Sequence, residues 1–203
     1  MKTKLFPAVI FSLLLAFTAC KNDPKDPDHP DGKPPVVEEK AKPSSEMTPE
    51  KRFVLNSVMT KAIVTHESKT FSSMLLTVGL NDTLATSDGP YTLLAPNSKV
   101  FKNMEKEKMR FLTHIENADS LKAVISSHVI PGKIGSADMV KNIKAGNGTY
   151  RFKAITGAAL EATMKGSQII IKDAHGNTAR VGKSDILAQN GTLHILDALL
   201  HVN

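Results

Sequence analysis

Cysteine is almost absent from this chain, because Cys20 is the only one among 203 residues. A single thiol excludes an intrachain disulfide, although an exported protein could form disulfides in its oxidising compartment. It also leaves any histidine-based metal site without a sulfur ligand. The solitary cysteine follows directly on an apolar N-terminal stretch, and its role has to be sought there.

Aromatic residues are scarce as well: they make up 5% of the chain, with two tyrosines and no tryptophan. A groove for single-stranded nucleic acid needs stacking rings between clustered basic residues. Residues 1–48 hold seven basic and seven acidic side chains, so the whole net charge of +6 belongs to residues 49–203, where the lysines are spread out. These features predict no nucleic-acid partner, and a basic surface that suits anionic polymers or lipids.

Motifs of common enzyme classes are missing or incomplete. No G-x-S-x-G elbow of a serine hydrolase occurs. The segment "VGKS" resembles the end of a P-loop, but Asn177 stands where the first glycine is required, and "HES" begins an H-E-x-x-H motif in which Thr70 replaces the second histidine. We therefore expect no enzymatic activity and no cofactor.

A metal site is not expected either. His175, His194 and His201 could be imagined around one ion, but neither cysteine nor a cluster of acids supports them. The closing segment "AQNGTLHILDALLHVN" also places His194 three residues from Asp197. If this segment is a strand, the two side chains point to opposite faces and cannot converge on one ligand. We expect His194 to bond to backbone around the segment "YTLLAPNSKVF" or the helices, and Asp197 to hold a nearby turn.

The N-terminus has the pattern of a secretory signal. Residues 5–19 form an apolar run of about 15 residues, shorter than the ~20 that span a bilayer. Ordinary cleavage after Ala19 would place the bulky Phe17 where a small residue is required. Processing of the same bond as in a lipoprotein precursor fits better. The segment "FTAC" resembles the lipobox of bacterial lipoproteins, whose cysteine is acylated. We expect residues 1–19 to be a lipoprotein signal peptide and acylated Cys20 to anchor the protein in a membrane.

Residues 20–48 predict a solvated tether. Six prolines lie among alternating charges in residues 21–46, in a pattern that suits polyproline II. The lysine and aspartate close behind Cys20 resemble signals that send some lipoproteins of Gram-negative bacteria to the outer face of the outer membrane. We therefore expect an exported protein, lipid-anchored to the outer membrane and facing the cell exterior.

Helical spacing marks the beginning of residues 49–203, which are long enough for one domain. The apolar positions predict one helix from Phe53, Val54, Val58 and Met59, and a second from Phe71, Met74, Leu75 and Val78. Gly79 is well placed to end the second helix. A later helix, with Asp119 or Ser120 as its cap, would bury Leu121, Val124, Ile125 and His128 on one face.

Strand signals surround and follow these helices. Tyr91 to Leu94 read as a short buried strand that Pro96 ends, after which Asn97 or Ser98 can cap a helix. After Gly146 the chain changes to short runs separated by turns such as "KGSQ" and "DAHGN", which is typical of antiparallel strands. Helices first and strands later predict an α+β domain.

Three segments in order resemble motifs of the fasciclin-like domain. The segment "YTLLAPNSKVF" is similar to the first motif, "LKAVISSHVIPG" to the middle motif and "DILAQNGTLHILDALL" to the last motif. The matching residues are Thr92, Ala95, Pro96 and Phe101 in the first, His128, Val129, Pro131 and Gly132 in the middle, and Asn190, Gly191, His194, Ile195, Asp197 and Leu199 in the last. In the middle motif Ser127 stands where tyrosine is usual.

The resemblance covers roughly residues 50–203 and implies a wedge of two β-sheets with helices packed at one side. It also implies non-catalytic adhesion to surface or matrix macromolecules, either protein or polysaccharide. In animal members an Asp-Ile dipeptide and the Tyr-His segment take part in receptor binding, which makes Asp185, Ile186 and His128 the candidate partner-binding residues here. The alternative is a binding protein for a small apolar ligand such as a pigment or a lipid.

Overall fold

The computed structural model describes residues 47–201. The predicted signal peptide, Cys20 and the tether up to residue 46 lie outside the described residues, so these interpretations stay predictions. Thr48, at the end of the predicted tether, accepts a hydrogen bond from the backbone N–H of Lys51 (3.3 Å) and so caps the first helix. Within the described part of the chain, no helix is both long and apolar enough to cross a bilayer.

Helices dominate the first part of the described chain and strands the last part. The α-helices are α1 (Pro49–Leu55), α2 (Val58–Val64), α3 (Lys69–Thr77), α4 (Asn81–Thr86), α5 (Ser98–Lys102), α6 (Lys106–Thr113), α7 (Ala118–Ser126) and α8 (Ser136–Ala145). The strands are β1 (Tyr91–Pro96), β2 (Val129–Pro131), β3 (Thr149–Lys153), β4 (Ala159–Lys165), β5 (Gln168–Asp173), β6 (Thr178–Arg180), β7 (Ile186–Ala188) and β8 (Gly191–Leu196). Short 3-10 helices precede α3 and α7.

The prediction of a single helix across Phe53 to Met59 is wrong. The helix is interrupted between Leu55, where α1 ends, and Val58, where α2 begins. The Oγ of Ser57 accepts a hydrogen bond from the backbone N–H of Thr60 (3.2 Å), which is a helix N-cap. The backbone N–H of Val58 donates to the side-chain oxygen of Asn190 (2.8 Å). A free N–H at the start of a second helix is thus satisfied by a residue 132 positions away, which local spacing cannot predict.

The other helix predictions are largely confirmed. Gly79, with a φ of +75°, follows α3, and the adjacent N–H groups bond back to its last turn. In α7 the predicted apolar face is buried, but Asp119 or Ser120 as its cap is wrong. The helix begins at Ala118 as a continuation of the 3-10 helix Ile115–Asn117, so Asp119 lies inside its first turn.

Two four-stranded sheets organise the strands. The first has the order β2-β1-β8-β7, in which β1 and β8 run parallel and the outer pairs antiparallel. The second is the antiparallel meander β3-β4-β5-β6 that the turn signals predict. Two sheets with several helices make an α+β fold, as expected.

The first sheet lies between two hydrophobic clusters. One cluster packs this sheet against the N-terminal helices and includes Phe71, Leu93 and Leu193. The other includes Leu94, which is next to Leu93 on β1, together with residues of α8 and the second sheet. Because successive side chains of a strand point to opposite faces, β1 supplies both clusters. All six residues of β8 are buried for the same reason.

Candidate functional site

The three sequence motifs meet as neighbouring strands of the first sheet. Tyr91 of β1 pairs with Pro131 of β2 on one side and with Gly191 of β8 on the other. The motifs therefore lie side by side, with β1 and β8 at the centre of the sheet and β2 at its edge, although β1 and β8 are about 100 positions apart in sequence. Most of the motif side chains serve contacts within the domain.

Thr92 fastens the first motif to the middle one. Its Oγ1 donates a hydrogen bond to the carbonyl of Gly132 (2.6 Å) and accepts one from the backbone N–H of Ile134 (2.9 Å). Gly132 has a φ of +101°, a conformation that favours glycine, so the chain can turn here after β2. The predicted strand end is confirmed, since β1 stops at Pro96.

The rest of the first motif begins helix α5 and fills the core. Of the two predicted caps, Asn97 is the one used: its side chain accepts from the backbone N–H of Lys99 (3.0 Å). Ala95 and Phe101 are buried in the cluster under the helices. The segment after β1 is thus fixed by a cap and by packing.

Asn190 and Gly191 join the helices to the sheet. The side chain of Asn190 accepts from Val58 and donates to the carbonyls of Leu84 (3.1 Å) and Ser87 (2.9 Å). A Cβ atom on Gly191 would lie 2.0 Å from the carbonyl oxygen of Tyr91. Close approach of the parallel strands β1 and β8 therefore requires glycine at this position.

His194 is completely buried and both of its ring nitrogens have backbone partners. Its Nε2 lies 2.8 Å from the carbonyl oxygen of Ile134, and its Nδ1 accepts a hydrogen bond from the backbone N–H of Asp185 (3.3 Å). These contacts require the neutral tautomer with the proton on Nε2. Burial lowers the pKa of His194, against the opposing effects of the Ile134 carbonyl and Asp185. The predicted backbone bond is present, in the loop before α8.

Asp197 binds a strand end, so its predicted role in holding a turn is wrong. Its carboxylate accepts hydrogen bonds from the backbone N–H (2.7 Å) and the Nε (2.9 Å) of Arg180, the last residue of β6. The adjacent residues Val181 and Leu196 form a single β-bridge. Asp197 lies just beyond the end of β8, so the alternation of strand faces does not decide where its side chain points. Asp197 and His194 nevertheless have no bonding partner in common. The contact ties the second sheet to the first.

Asp185 and Ile186 are engaged within the domain. The Asp185 carboxylate accepts from the backbone N–H of Ser136 (2.8 Å), from the Ser136 hydroxyl and from the Ser184 hydroxyl (3.1 Å). Burial alone would raise the pKa of Asp185, but these hydrogen bonds outweigh it and lower the pKa. Ile186 begins β7 and is partly buried against the helical cluster. Partner binding by this dipeptide stays a prediction.

His128 is also inside the protein, with none of its surface exposed. Its Nδ1 lies 2.8 Å from the carbonyl oxygen of Val124, and its Nε2 accepts from the backbone N–H of Leu200 (3.1 Å). Burial lowers the pKa of His128 to about 4. A partner cannot contact this ring in the described conformation. Any effect of His128 on binding would therefore be indirect, through the position of the residues that it contacts. Ser127, beside it, donates to Val124 as well (2.6 Å).

The comparisons with known proteins agree with this arrangement. The family model of the fasciclin domain matches residues 66–202. The chain belongs to the fasciclin domain family. The solved structure of a FAS1 domain pair from the insect cell adhesion molecule Fasciclin I is similar, with a TM-score of 0.64 and 16% identity over 72% of this chain and 51% of that one. At that identity the likeness concerns the fold alone.

Curated relatives come from bacteria and animals. Protein sll1483 of Synechocystis is 28% identical over 147 residues, which cover 71% of this chain and 74% of that protein. Human periostin is 31% identical over 65% of this chain but only 14% of its own length. The transforming growth factor-beta-induced protein ig-h3 of Sus scrofa is 26% identical over 72% of this chain and 20% of its own length. The chain thus spans a small part of the animal relatives. The family assignment supports a non-catalytic binding domain of the kind found in adhesion and matrix proteins.

Two clefts of the fasciclin domain were not predicted from the sequence. One, of about 640 Å³, lies between α8 and β5, and Ser136, Lys141, Lys144, Gln168 and Ser184 are among its lining residues. We call it the lysine groove. No acidic side chain lines it, and Ser136 and Ser184 are the same residues that bind Asp185. The lysines at positions i and i+3 of an amphipathic helix were the only sequence signal for it.

The other cleft, of about 730 Å³, lies between α6, α7 and the turns of the second sheet. We call it the apolar cleft. His175 and His201 lie at its edge with their ring centroids 6.0 Å apart, whereas His194 is bonded to the backbone of Ile134. The three histidines therefore do not converge. Among residues 47–201, no group of three or more histidine, cysteine or acidic side chains is placed to hold a metal ion.

Proposed function

We propose that this protein is a cell-surface lipoprotein that presents its fasciclin domain for adhesion to a surface or matrix macromolecule. The observation that carries the proposal is that the fasciclin domain accounts for nearly the whole described chain. The apolar N-terminal run that ends at Cys20 and the proline-rich segment behind it support a lipid anchor with a spacer. Acylated Cys20 would hold the protein on the outer membrane, with the domain on the outside of the cell.

The lysine groove is the surface that we propose for the adhesive contact. Lys141 and Lys144 are exposed on α8, and hydroxyl and amide groups of Ser136, Ser167 and Gln168 lie beside them. Positive charge together with neutral hydrogen-bonding groups suits a polymer that carries carboxylates or sulfates between hydroxyls. We therefore propose an acidic polysaccharide as the partner of this groove.

The groove also gives Asp185 a part in the proposed function. Its carboxylate holds Ser136 at the start of α8 and the neighbouring Ser184, both of which line the groove. The Asp-Ile dipeptide would then shape the binding surface without touching the partner.

The anchor is tested by fractionating cells that express the wild type or Cys20→Ala. We expect the wild type in the outer-membrane fraction, accessible to protease added to whole cells, and the variant in the soluble fraction. A Cys20→Ala protein that still sediments with membranes would contradict the lipid anchor.

Adhesion is tested by the binding of whole cells to immobilised polygalacturonate, with neutral dextran as the reference surface. We expect cells with the wild type to bind polygalacturonate, and the Lys141→Glu/Lys144→Glu variant to lose most of this binding. The matched control is Lys99→Glu/Lys102→Glu, which makes the same charge change at the same helical spacing on α5. Equal losses in both variants would indicate unspecific charge attraction and contradict the groove.

A further inference from the structure

We propose that the apolar cleft binds a small amphipathic carboxylate, with its apolar body inside and its anionic group at the histidine and lysine edge. The volume of about 730 Å³ lies within the range of small-molecule sites, roughly 300–1,000 Å³. The inference concerns a different surface from the lysine groove, so it does not depend on the proposed adhesive function.

The walls of the cleft come from separate parts of the chain. Helix α6 supplies Phe111 and Leu112, helix α7 supplies Val124, and the turn between β3 and β4 supplies Gly157 and Ala158. Phe111 keeps 55% of its surface exposed, and it forms one side of the cleft. An apolar ligand body in the cleft would cover part of this ring and gain free energy from the area removed from water.

Ser127 contributes to the size of the cleft. This position is where the middle fasciclin motif usually has tyrosine, and here the short serine side chain bonds back to the carbonyl of Val124 (2.6 Å). Ser127 lines the cleft directly. A tyrosine ring at the same position would occupy space that is open in this protein.

The polar edge of the cleft contains an unsatisfied donor or acceptor. The Nε2 of His201 is buried and has no hydrogen-bond partner among the described residues. Leaving a buried polar atom unpaired costs about 1–3 kcal/mol, so native structures rarely contain one without a reason. His201 also lines the cleft, so a rotation of its ring would bring this nitrogen to a ligand oxygen, which makes His201 the proposed polar contact.

The charges around this edge favour an anion. Lys108 lines the cleft and no acidic side chain does. The nearest carboxylate next to the histidines, Asp173, accepts from the backbone N–H groups of His175 (2.9 Å) and His201 (2.6 Å). The two Asp173 oxygens thus position the two histidines, while the negative charge of Asp173 still acts on His201, so Lys108 is the group that attracts an anionic ligand.

The test is a titration of the mature chain, residues 20–203 with Cys20→Ala, with octanoate and with octan-1-ol. Calorimetry measures affinity, and the methyl resonances of Leu112 and Val124 report the site. We expect saturable octanoate binding that shifts these resonances, and weaker binding of the uncharged alcohol. Lys108→Ala should weaken octanoate about tenfold, which corresponds to roughly 1.4 kcal/mol for a lost charged hydrogen bond. Lys106→Ala, on the same helix but outside the cleft, is the matched control and should bind as the wild type does.

Two variants test the space itself. Ser127→Tyr restores the usual family residue and should abolish octanoate binding while the melting temperature stays close to that of the wild type. Ala123→Trp fills the cleft from an exposed position of α7, so it serves the same purpose if Ser127→Tyr fails to fold. The proposal is overturned if neither ligand binds, if octanol binds as tightly as octanoate, or if a folded filled-cleft variant still binds octanoate. Binding to phosphatidylglycerol vesicles without binding of free octanoate would also overturn it, because the site would then be a membrane contact.

Discussion

The backbone N–H of Asp185 donates a hydrogen bond to the Nδ1 of His194 over 3.3 Å, and the other ring nitrogen of His194 is 2.8 Å from the carbonyl oxygen of Ile134. One buried imidazole thus connects β8 with the segment before β7 and with the loop before α8. The Asp185 carboxylate then reaches on to Ser136 at the start of α8. These contacts place the Asp-Ile dipeptide and one wall of the lysine groove in a fixed relation to the centre of the sheet.

His194→Ala should lower the free energy of unfolding by roughly 1–3 kcal/mol, because it leaves the backbone groups of Asp185 and Ile134 without partners. Urea denaturation monitored by circular dichroism measures this change. His66→Ala is the control, since His66 is exposed. Unchanged stability together with lost adhesion would indicate a direct binding role for His194.

Acidification should destabilise the protein well before the carboxylates titrate. Burial lowers the pKa of His128 from 6.5 to about 4 and also lowers that of His194, so the unfolded chain takes up these protons first as the pH falls. Stability should be full above about pH 6.5 and decline towards pH 4, with His128 accounting for up to about 3 kcal/mol.

Asp173 and Asp185 act in a lower pH window. Their pKa values are lowered in the folded protein, so their contribution persists until the pH falls below the ordinary value of 3.8. Urea midpoints between about pH 7.5 and 4.5 therefore isolate the histidines. A flat profile over this range would contradict the prediction.

Gly191→Ala should destabilise the domain by about 3 kcal/mol or more, because its Cβ would lie 2.0 Å from the Tyr91 carbonyl oxygen in the parallel β1–β8 pair. Gly182→Ala is the matched control: its nearest contact would be an ordinary 3.5 Å, and we expect a change within about 0.5 kcal/mol. Thermal or urea unfolding of both variants checks the difference. A Gly191→Ala protein as stable as the wild type would show that the two strands can separate without cost.

A double-mutant cycle of Asp185→Ala and Ser136→Ala should show a coupling of about 0.5–3 kcal/mol, because the two side chains bond to each other. If Asp185 only positions the wall of the groove, both single variants should weaken adhesion to a similar degree. Adhesion lost in Asp185→Ala but kept in Ser136→Ala would instead support direct recognition by the carboxylate. Asp119→Ala, on the exposed first turn of α7, is the control for charge.

Local chemistry made much of the fold predictable from the sequence. Pro96 ends β1 because proline cannot donate to a strand ladder, Gly79 ends α3 because it adopts a positive φ, and Asn97 caps α5 through a contact two residues away. The antiparallel meander followed from closely spaced turn residues. Each of these features depends on neighbours within a few positions, which a sequence displays directly.

Long-range contacts decided the rest. The break between α1 and α2 depends partly on Asn190, which satisfies Val58 from 132 positions away, and Asp197 holds Arg180 at a strand end where a turn was predicted. The parallel pairing of β1 with β8 brings the motifs together, and the backbone N–H of Leu200, 72 positions away in the chain, donates to the buried ring of His128. The sequence by itself determined the family, the kinds of elements and their local boundaries. Only the tertiary structure decided which polar groups bond to one another and where the two clefts lie, because hydrogen-bond partners and cavities arise between segments that are distant in the chain.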